Sequence, residues 1–431
     1  METSALRSLI QEILKEGSGE LSDEQTNAAL DLISSLVASS PQFKGKVYLA
    51  GGAVRDEVMG KTSHDLDIVV AVKDGGIKLA EWLSQRLRTT HRPTIFERFG
   101  TAMLTLDGVE HNGIDLSGVE IEMVQTRSEK YDPDSRKPST AFGTIEQDVM
   151  RRDLTINSLL KDLTTGEVLD LTGKGMQDIK DGTVRTPTDP NVTFDDDPLR
   201  ILRAVRFASR YNFHMTEEIQ EAMINNADRL NIISKERIRD ELGKILTGAN
   251  PEKGVQLLID NDLLRFVVPA LVGKESQISQ LRFSGGDLIP NMAKLLSLTS
   301  DQVMSSSKQL RFSNDEAKQI TTLANFRNQM INDSSNKNIL KSSLPVFSSG
   351  AGEHIFAVVD GLPVKNNIEA LDEFLGIEPN LFFTGGDLLK SFDMKPGPQV
   401  GELIKLQQDL WYENPAISKD EVRKKIENYL N

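Results

Sequence analysis

Tyr48 to Val70 reads "YLAGGAVRDEVMGKTSHDLDIVV". An apolar run ends in Gly51 and Gly52, a charged helix-compatible segment follows, and Asp65 and Asp67 open a second apolar run. In a strand, residues i and i+2 point the same way, so both carboxylates aim at one spot. Two unpaired carboxylates so close repel each other unless a cation lies between them. A bare D-x-D also fits a solvated strand end, so the rest of the chain must separate the two readings.

The chain has 431 residues, enough for several domains, and ordinary apolar and charged contents. No apolar run approaches the roughly 18–20 residues needed to span a bilayer. The opening "METSALRSLIQEILKEGSGE" reads as a short amphipathic helix, not a signal peptide. There are no cysteines, which excludes disulfides, thiolate nucleophiles and cysteine zinc sites and fits a cytoplasmic protein. The formal charge of −14 argues against a surface coated for nucleic acid, so a polyanion needs a local basic patch. Arg200, Arg203, Arg206 and Arg210 supply one at helical spacing. That stripe is either a solvated face or the seat of a shared anionic partner.

From Lys46 to about Asp170, short apolar or alternating runs such as "VYLAGG", "LDIVVAV", "TAMLTL" and "VEIEMVQT" predict strands. "IKLAEWLSQRL" predicts a helix between two of them, so this part reads as an α/β domain. From about Asp197 onward the segments show helical periodicity and few strand signals. The predicted class is α+β, an α/β head with a small mixed sheet followed by helical pieces.

Four elements carry candidate chemistry. Gly51 and Gly52 permit a tight turn whose N–H groups can approach a polyphosphate, with Arg55 one turn on and Asp65 and Asp67 as holders of a divalent metal. Mg²⁺ prefers one or two carboxylates plus phosphate oxygens and water. Glu120 and Glu122 alternate with apolar residues, as an amphipathic edge strand or as carboxylates beside the first pair. In "DVMRRDLTINSLL", Arg152 and Asp153 form either a buried pair or part of a network that holds a ligand. In "FDDDPLRILRAVRF", Asp197 and Arg200 are either a helix cap with its neighbour or an acceptor and donor fork matching the edge of a base.

In order, "GGAVRD…HDLDIVV", "DVMRRDLTINS" and "DDPLRILRAVRFA" resemble the signature segments of the class II tRNA nucleotidyltransferase and bacterial poly(A) polymerase family. "FERFGTAML", "TRSEKYDPDSRKPSTAFGTIEQD", "VLDLTGKGMQDI" and "ISKERIRDELGKIL" are similar to its later strand, flexible loop, hinge and neck helix. "FTGGDLLKSFDMKPGPQVGELI" resembles the tail of the CCA-adding members. The resemblance implies a helical N-terminal extension over 1–45, a nucleotidyltransferase head over 46–184 and a base-reading neck over 185–250. A helical body over 251–345 and a tRNA-binding tail over 346–431 complete the implied division.

It also implies residue roles. Asp65 and Asp67 match the carboxylates of a two-metal Mg²⁺ site, and Glu122 falls where the family has an acidic strand residue, a further candidate ligand. Gly52 and Arg55 match phosphate contacts, Arg152 and Asp153 the ribose-recognising pair. Asp197 and Arg200 match the pair reading the incoming base, and Arg203 and Arg206 further nucleotide contacts. The implied reaction is template-independent addition of CCA from CTP and ATP to the 3′ end of tRNA, gripped through its acceptor and T arm. Poly(A), CC-only or A-only addition and a non-catalytic RNA-binding relative are the alternatives; the acidic chain and its tail segment favour CCA. Asp196 stands where the family has glutamate, Leu154 where it has phenylalanine, and "DLTGKG" lacks the hinge's proline and phenylalanine.

Overall fold

The structure, a computed structural model, describes residues 22–97, 100–132, 135–284, 286–332, 342–343, 345–346, 349–360, 362, 381–413 and 417–430. The amphipathic segment expected over the first twenty residues lies outside them. Two compact units divide the chain, Met1–Ile233 and Ser234–Asn431.

The first unit is built on a seven-stranded mixed sheet. Its strands are β1 (Val47–Ala50), β2 (Leu66–Val70), β3 (Thr94–Phe96), β4 (Thr101–Thr105), β5 (Glu120–Gln125), β6 (Leu160–Asp162) and β7 (Val168–Leu169). Their order is β7-β6-β1-β2-β5-β4-β3. All neighbours run antiparallel except β2 and β5, which are parallel with Asp67 opposite Glu122.

The helices of this unit are α1 (Asp23–Ser39), α2 (Gly52–Val58), α3 (Gly75–Leu87), α4 (Ile145–Met150), α5 (Gly175–Asp181), α6 (Pro190–Asp196), α7 (Leu199–Arg210) and α8 (Glu217–Asn226). Ser22 and Gln25 form a capping box that starts α1.

Strand alternation assigns each side chain to a face. Val47, Leu49, Leu66, Ile68, Val70, Ile121 and Met123 join Ile33, Val37, Leu79 and Leu83 in the main core. Each fully buried aliphatic side chain there contributes about 1.5–3 kcal/mol. Gly76 lets α3 lie directly on the sheet: a Cβ there would stand 2.3 Å from the Met123 carbonyl oxygen. The opposite face carries a smaller core of Tyr48, Ala50, Val69, Val149 and Leu160, capped by α4. Asp67, two residues before Val69, emerges on this thinly covered face, and so does Glu122.

The helical reading of the later chain holds, with one interruption inside the first unit. His214–Met215 forms a two-residue strand parallel to Thr183–Val184. In the second unit Lys235–Leu246, Pro251–Asp260, Leu288–Leu296 and Asn314–Asn332 are helical. Gly385–Ser391, Pro398–Glu413 and Lys419–Leu430 share a core of Phe383, Leu388, Leu403, Val422 and Ile426. Among the described residues no helix is long and apolar enough to cross a membrane.

Candidate active site

At the end of β1 the chain turns at Gly51, whose φ of 67° and ψ of −124° belong to a region that favours glycine. The antiparallel register that sets Leu49 opposite Ile68 carries this turn to the start of β2. There Asp65 and Asp67 are exposed while Leu66 and Ile68 are buried. Asp65 lies one residue before the strand begins, so only Asp67 is a strand residue. Glu122, exposed in a strand whose alternate residues are buried, stands beside Asp67 across the β2–β5 pair.

Partial desolvation by the neighbouring residues, despite its exposed surface, raises the Asp67 carboxyl, and the negative charges of Glu122 and Asp65 raise it further; Arg152 works in the opposite sense. The three carboxylates therefore share one field in need of positive charge. Among the described residues no three such side chains already cage an ion. A divalent cation on Asp65 and Asp67 fits this donor set when phosphate oxygens and water complete its shell, as Mg²⁺ prefers.

Arg152 borders the glycine turn: its Nη1 lies 3.4 Å from where a Gly51 Cβ would stand. It donates to the Asn157 carbonyl at 3.2 Å and to Asp148 at 3.1 Å. Asp148, fully buried, also takes Arg151 at 2.7 Å. Burial raises the Asp148 carboxyl, but the charges of Arg152 and Arg151 and its hydrogen bonds outweigh that and hold it below the usual carboxylate range.

The structure shows which partners these side chains take within the protein. Arg152 pairs with Asp148, not with its neighbour Asp153. Asp153 instead receives Arg203 of α7 at 2.7 Å, with Asn157 and the Leu154 N–H on its other oxygen. Arg55, expected at the phosphates, turns its fork inward because Asp56 and Asn157 wait there. It is 5% exposed, grips Asp56 with Nε and Nη2 at 2.9 and 3.0 Å, and donates to Asn157 from Nη1. It backs the turn, its Nη2 being 3.5 Å from where a Gly52 Cβ would stand.

Asp197 lies at the junction of α6 and α7, its Oδ1 accepting from the Leu199 N–H at 3.2 Å, a turn bond two residues on that leads into α7. Arg200 is buried and donates to the carbonyls of Thr193 and Arg151. Arg206 stacks on Phe207 at 4.4 Å and Arg210 on Tyr211 at 5.4 Å. Each arginine of the stripe thus has contacts within the protein. His64 is structural, its Nδ1 3.2 Å from the Thr26 hydroxyl.

Asp148, Asn157 and Asp56 were not among the expected site residues. Asp148 could have been found, since it precedes Arg151 and Arg152 by three and four positions. Asn157 and Asp56 carry no comparable local signal.

The family described as "Poly A polymerase head domain" matches residues 47–185, and "Probable RNA and SrmB- binding site of polymerase A" matches 212–273. The mitochondrial CCA tRNA nucleotidyltransferase of Saccharomyces cerevisiae is 41% identical over 219 residues, 49% of this chain and 40% of that protein. The chain thus spans about two fifths of the length of that relative. The CCA-adding enzyme of Pediococcus pentosaceus is 29% identical over 376 residues, covering 83% of this chain and 87% of its own. Among solved structures, the Bacillus stearothermophilus CCA-adding enzyme in complex with CTP superposes with a TM-score of 0.70 at 20% identity, covering 94% of this chain and 98% of that one. The Thermotoga maritima CCA-adding enzyme complexed with tRNA gives 0.66 at 21% identity, over 94% and 96%. At that identity the two structures speak for the fold.

Proposed function

Because the chain belongs to the class II tRNA nucleotidyltransferase and poly(A) polymerase family, we propose that it adds CCA to the 3′ end of tRNA from CTP and ATP, without a template. The observation that carries this reading is the convergence of Gly51, Asp65, Asp67, Glu122 and Arg152 on one open face of the sheet. Polyphosphate, metal carboxylates and a nearby cation are the needs of nucleotidyl transfer, and this face meets all three. The relatives named for CCA addition support the choice of product, and the charge agrees with it: an acidic chain with local arginines suits one bounded anionic end.

The N–H groups of the glycine turn face the triphosphate and need no side chain to do so. Asp65 and Asp67, with Glu122 alongside, would hold Mg²⁺, which supplies Lewis-acid polarisation of the phosphoryl group. Arg152 sets positive charge beside the same phosphates and remains anchored by Asp148. The Asp153–Arg203 pair forms the ribose side of the pocket. Asp197 and Arg200, adjacent at the opening of α7, meet the base; rigidly held donors and acceptors select a base because a mismatch leaves them unpaired. Catalysis on this scheme is positioning plus electrostatics.

The head covers 46–184, the neck 185–250, the body 251–345 and the tail 346–431, preceded by an extension over 1–45 in which Asp23–Ser39 is helical. The tail contacts the tRNA acceptor and T arm, and the cysteine-free composition supports a cytoplasmic site of action. The deciding experiment incubates the purified protein with tRNA lacking its CCA end, Mg²⁺ and defined NTP mixtures, then sequences the 3′ ends. Ends that stop at CCA support the proposal; homopolymeric A tails, or no extension, overturn it.

A further inference from the structure

Resting on the nucleotidyl-transfer reading, we infer that Tyr211 is a positioning residue that locks the base-reading helix α7 to the glycine turn. Tyr211 follows the last residue of α7, and its hydroxyl donates to Asp56 Oδ1 of α2 at 3.1 Å. Asp56 holds Arg55, Arg55 donates to Asn157, and the Asn157 amide donates to Asp153 at 3.1 Å. Asp153 receives Arg203, which lies on α7 two turns before Tyr211. The chain of bonds therefore leaves α7 at one point and returns to it at another.

The rings of α7 complete the grip. The Arg55 guanidinium lies 5.3 Å from the Phe207 centroid and 5.0 Å from that of Tyr211, and the two rings are stacked with 7° between their planes. Arg55, Asp56, Asp153 and Asn157 are each less than a tenth exposed. In such low-dielectric surroundings a polar network is favourable in the arrangement that satisfies every member, so its geometry is sharply defined. Tyr211 is the half-buried closing member, reached from the solvent side where Lys61 also lies over its ring.

The functional consequence follows from where the two ends of the circuit stand. Asp197 and Arg200 open α7, and Arg55 supports the turn from behind Gly52. A nucleotide held by its base at one and by its phosphates at the other has its α-phosphate placed by the distance between them. Misplacement of reacting atoms by about 1 Å costs on the order of 10²-fold in rate. Removing the Tyr211 hydroxyl frees Asp56, and with it Arg55, to take other positions. The reacting geometry then loosens while base and phosphate contacts persist.

The test is steady-state kinetics of CTP addition by Tyr211→Phe, Asp56→Asn and the double variant, with CTP affinity measured separately by titration. Tyr211→Phe retains the ring stack, so its thermal unfolding stays close to wild type. Expected are a fall in kcat of about 10-fold, KM and CTP affinity within about twofold, and a double variant no slower than the slower single one. Wild-type kcat in Tyr211→Phe, a raised KM at unchanged kcat, or additive losses in the cycle overturn the role of Tyr211 alone. A wild-type protein that extends no tRNA overturns the functional reading and this role together.

Discussion

Arg203 of the neck helix reaches Asp153 of the "RRDLTIN" segment at 2.7 Å, fifty residues away in sequence. Both residues carry the marks of nucleotide contacts in the sequence, and the fold makes them partners. The pair ties α7 to the "RRDLTIN" segment within one compact unit.

The first prediction concerns that pair. Burial raises the Asp153 carboxyl, but the charge of Arg203 and the hydrogen bonds from Asn157, Arg203 and Leu154 outweigh it, leaving the group below the usual carboxylate range. A carboxyl lowered by folding stabilises the native state above its ordinary pKa of about 3.9 and loses that contribution as pH falls through the folded value. In Arg203→Leu only the Asn157 and Leu154 hydrogen bonds still oppose burial, and the balance moves toward a raised carboxyl. The variant is expected to be less stable by about 2–3 kcal/mol at pH 7, the buried-pair cost discounted for a partly exposed arginine, and to recover toward wild type as pH falls to 4. Urea unfolding at several pH values measures this.

The second concerns the open face of the sheet. Asp65→Ala and Asp67→Ala are each expected to lower nucleotide incorporation by at least about 10²-fold with an intact circular-dichroism spectrum, since both side chains are exposed and bear little of the core. Removing a carboxylate should relieve repulsion between Asp67 and its neighbours, so thermal stability without metal holds steady or rises slightly. Glu122→Gln is expected to raise the Mg²⁺ concentration for half-maximal activity by several-fold while keeping the fold. An Asp67→Ala protein with wild-type turnover would remove the metal assignment.

The third separates reading a base from opening a helix. Asp197 accepts the Leu199 N–H in the turn that opens α7, a hydrogen bond worth about 1 kcal/mol. Asp197→Ala should therefore lose about that much stability and, beyond it, blur the choice of C and A against U and G by about 10-fold or more. Asp197→Ser retains an accepting oxygen and restores stability, with selectivity still impaired. Misincorporation assays on tRNA ending at the discriminator base distinguish the two effects.

The fourth lies in the second unit. Lys294 is fully buried in the helix Leu288–Leu296 and donates to the Arg282 carbonyl at 2.7 Å. Burial lowers its pKa from 10.5 to about 8, with Arg327 lowering it and Asp360 and Glu252 raising it. An ammonium lowered by folding costs stability below pH 8 and ceases to do so as pH rises toward 10.5; the full penalty is about 3 kcal/mol. Lys294→Met removes it and leaves one carbonyl without a donor, so a net stabilisation of about 1–2 kcal/mol is expected at pH 7. That advantage should vanish by about pH 10, as thermal unfolding followed across pH would record.

The sheet and its catalytic edge were legible because their signals are local. Apolar runs announced β1 and β2 and alternation of period two announced β4 and β5, and the i, i+2 geometry of a strand set Asp67 and Glu122 on the solvent side of their strands before any tertiary contact was known. The glycine pair marked a turn that only a residue without a side chain accommodates easily, and Gly51 adopts it. Helical spacing likewise announced α3 and α7, the latter complete with its four arginines.

What each of those arginines does was not written locally. Arg55 lies next to Asp56 in the chain, yet its orientation depends on Asn157, 102 positions later, and on two aromatic rings of α7. Asp56 is held by Tyr211, 155 positions on. Periodicity places a side chain on a face, whereas its partner is decided by which elements pack together. In a buried setting a charge must find that partner or forfeit its hydration, so the packing of α7 against the glycine-turn helix decided which internal partners these arginines take. Residue type and spacing in the sequence determined the candidate chemistry; the connection between the glycine turn and α7 came from tertiary structure alone, because only there do segments over a hundred residues apart come within hydrogen-bonding distance.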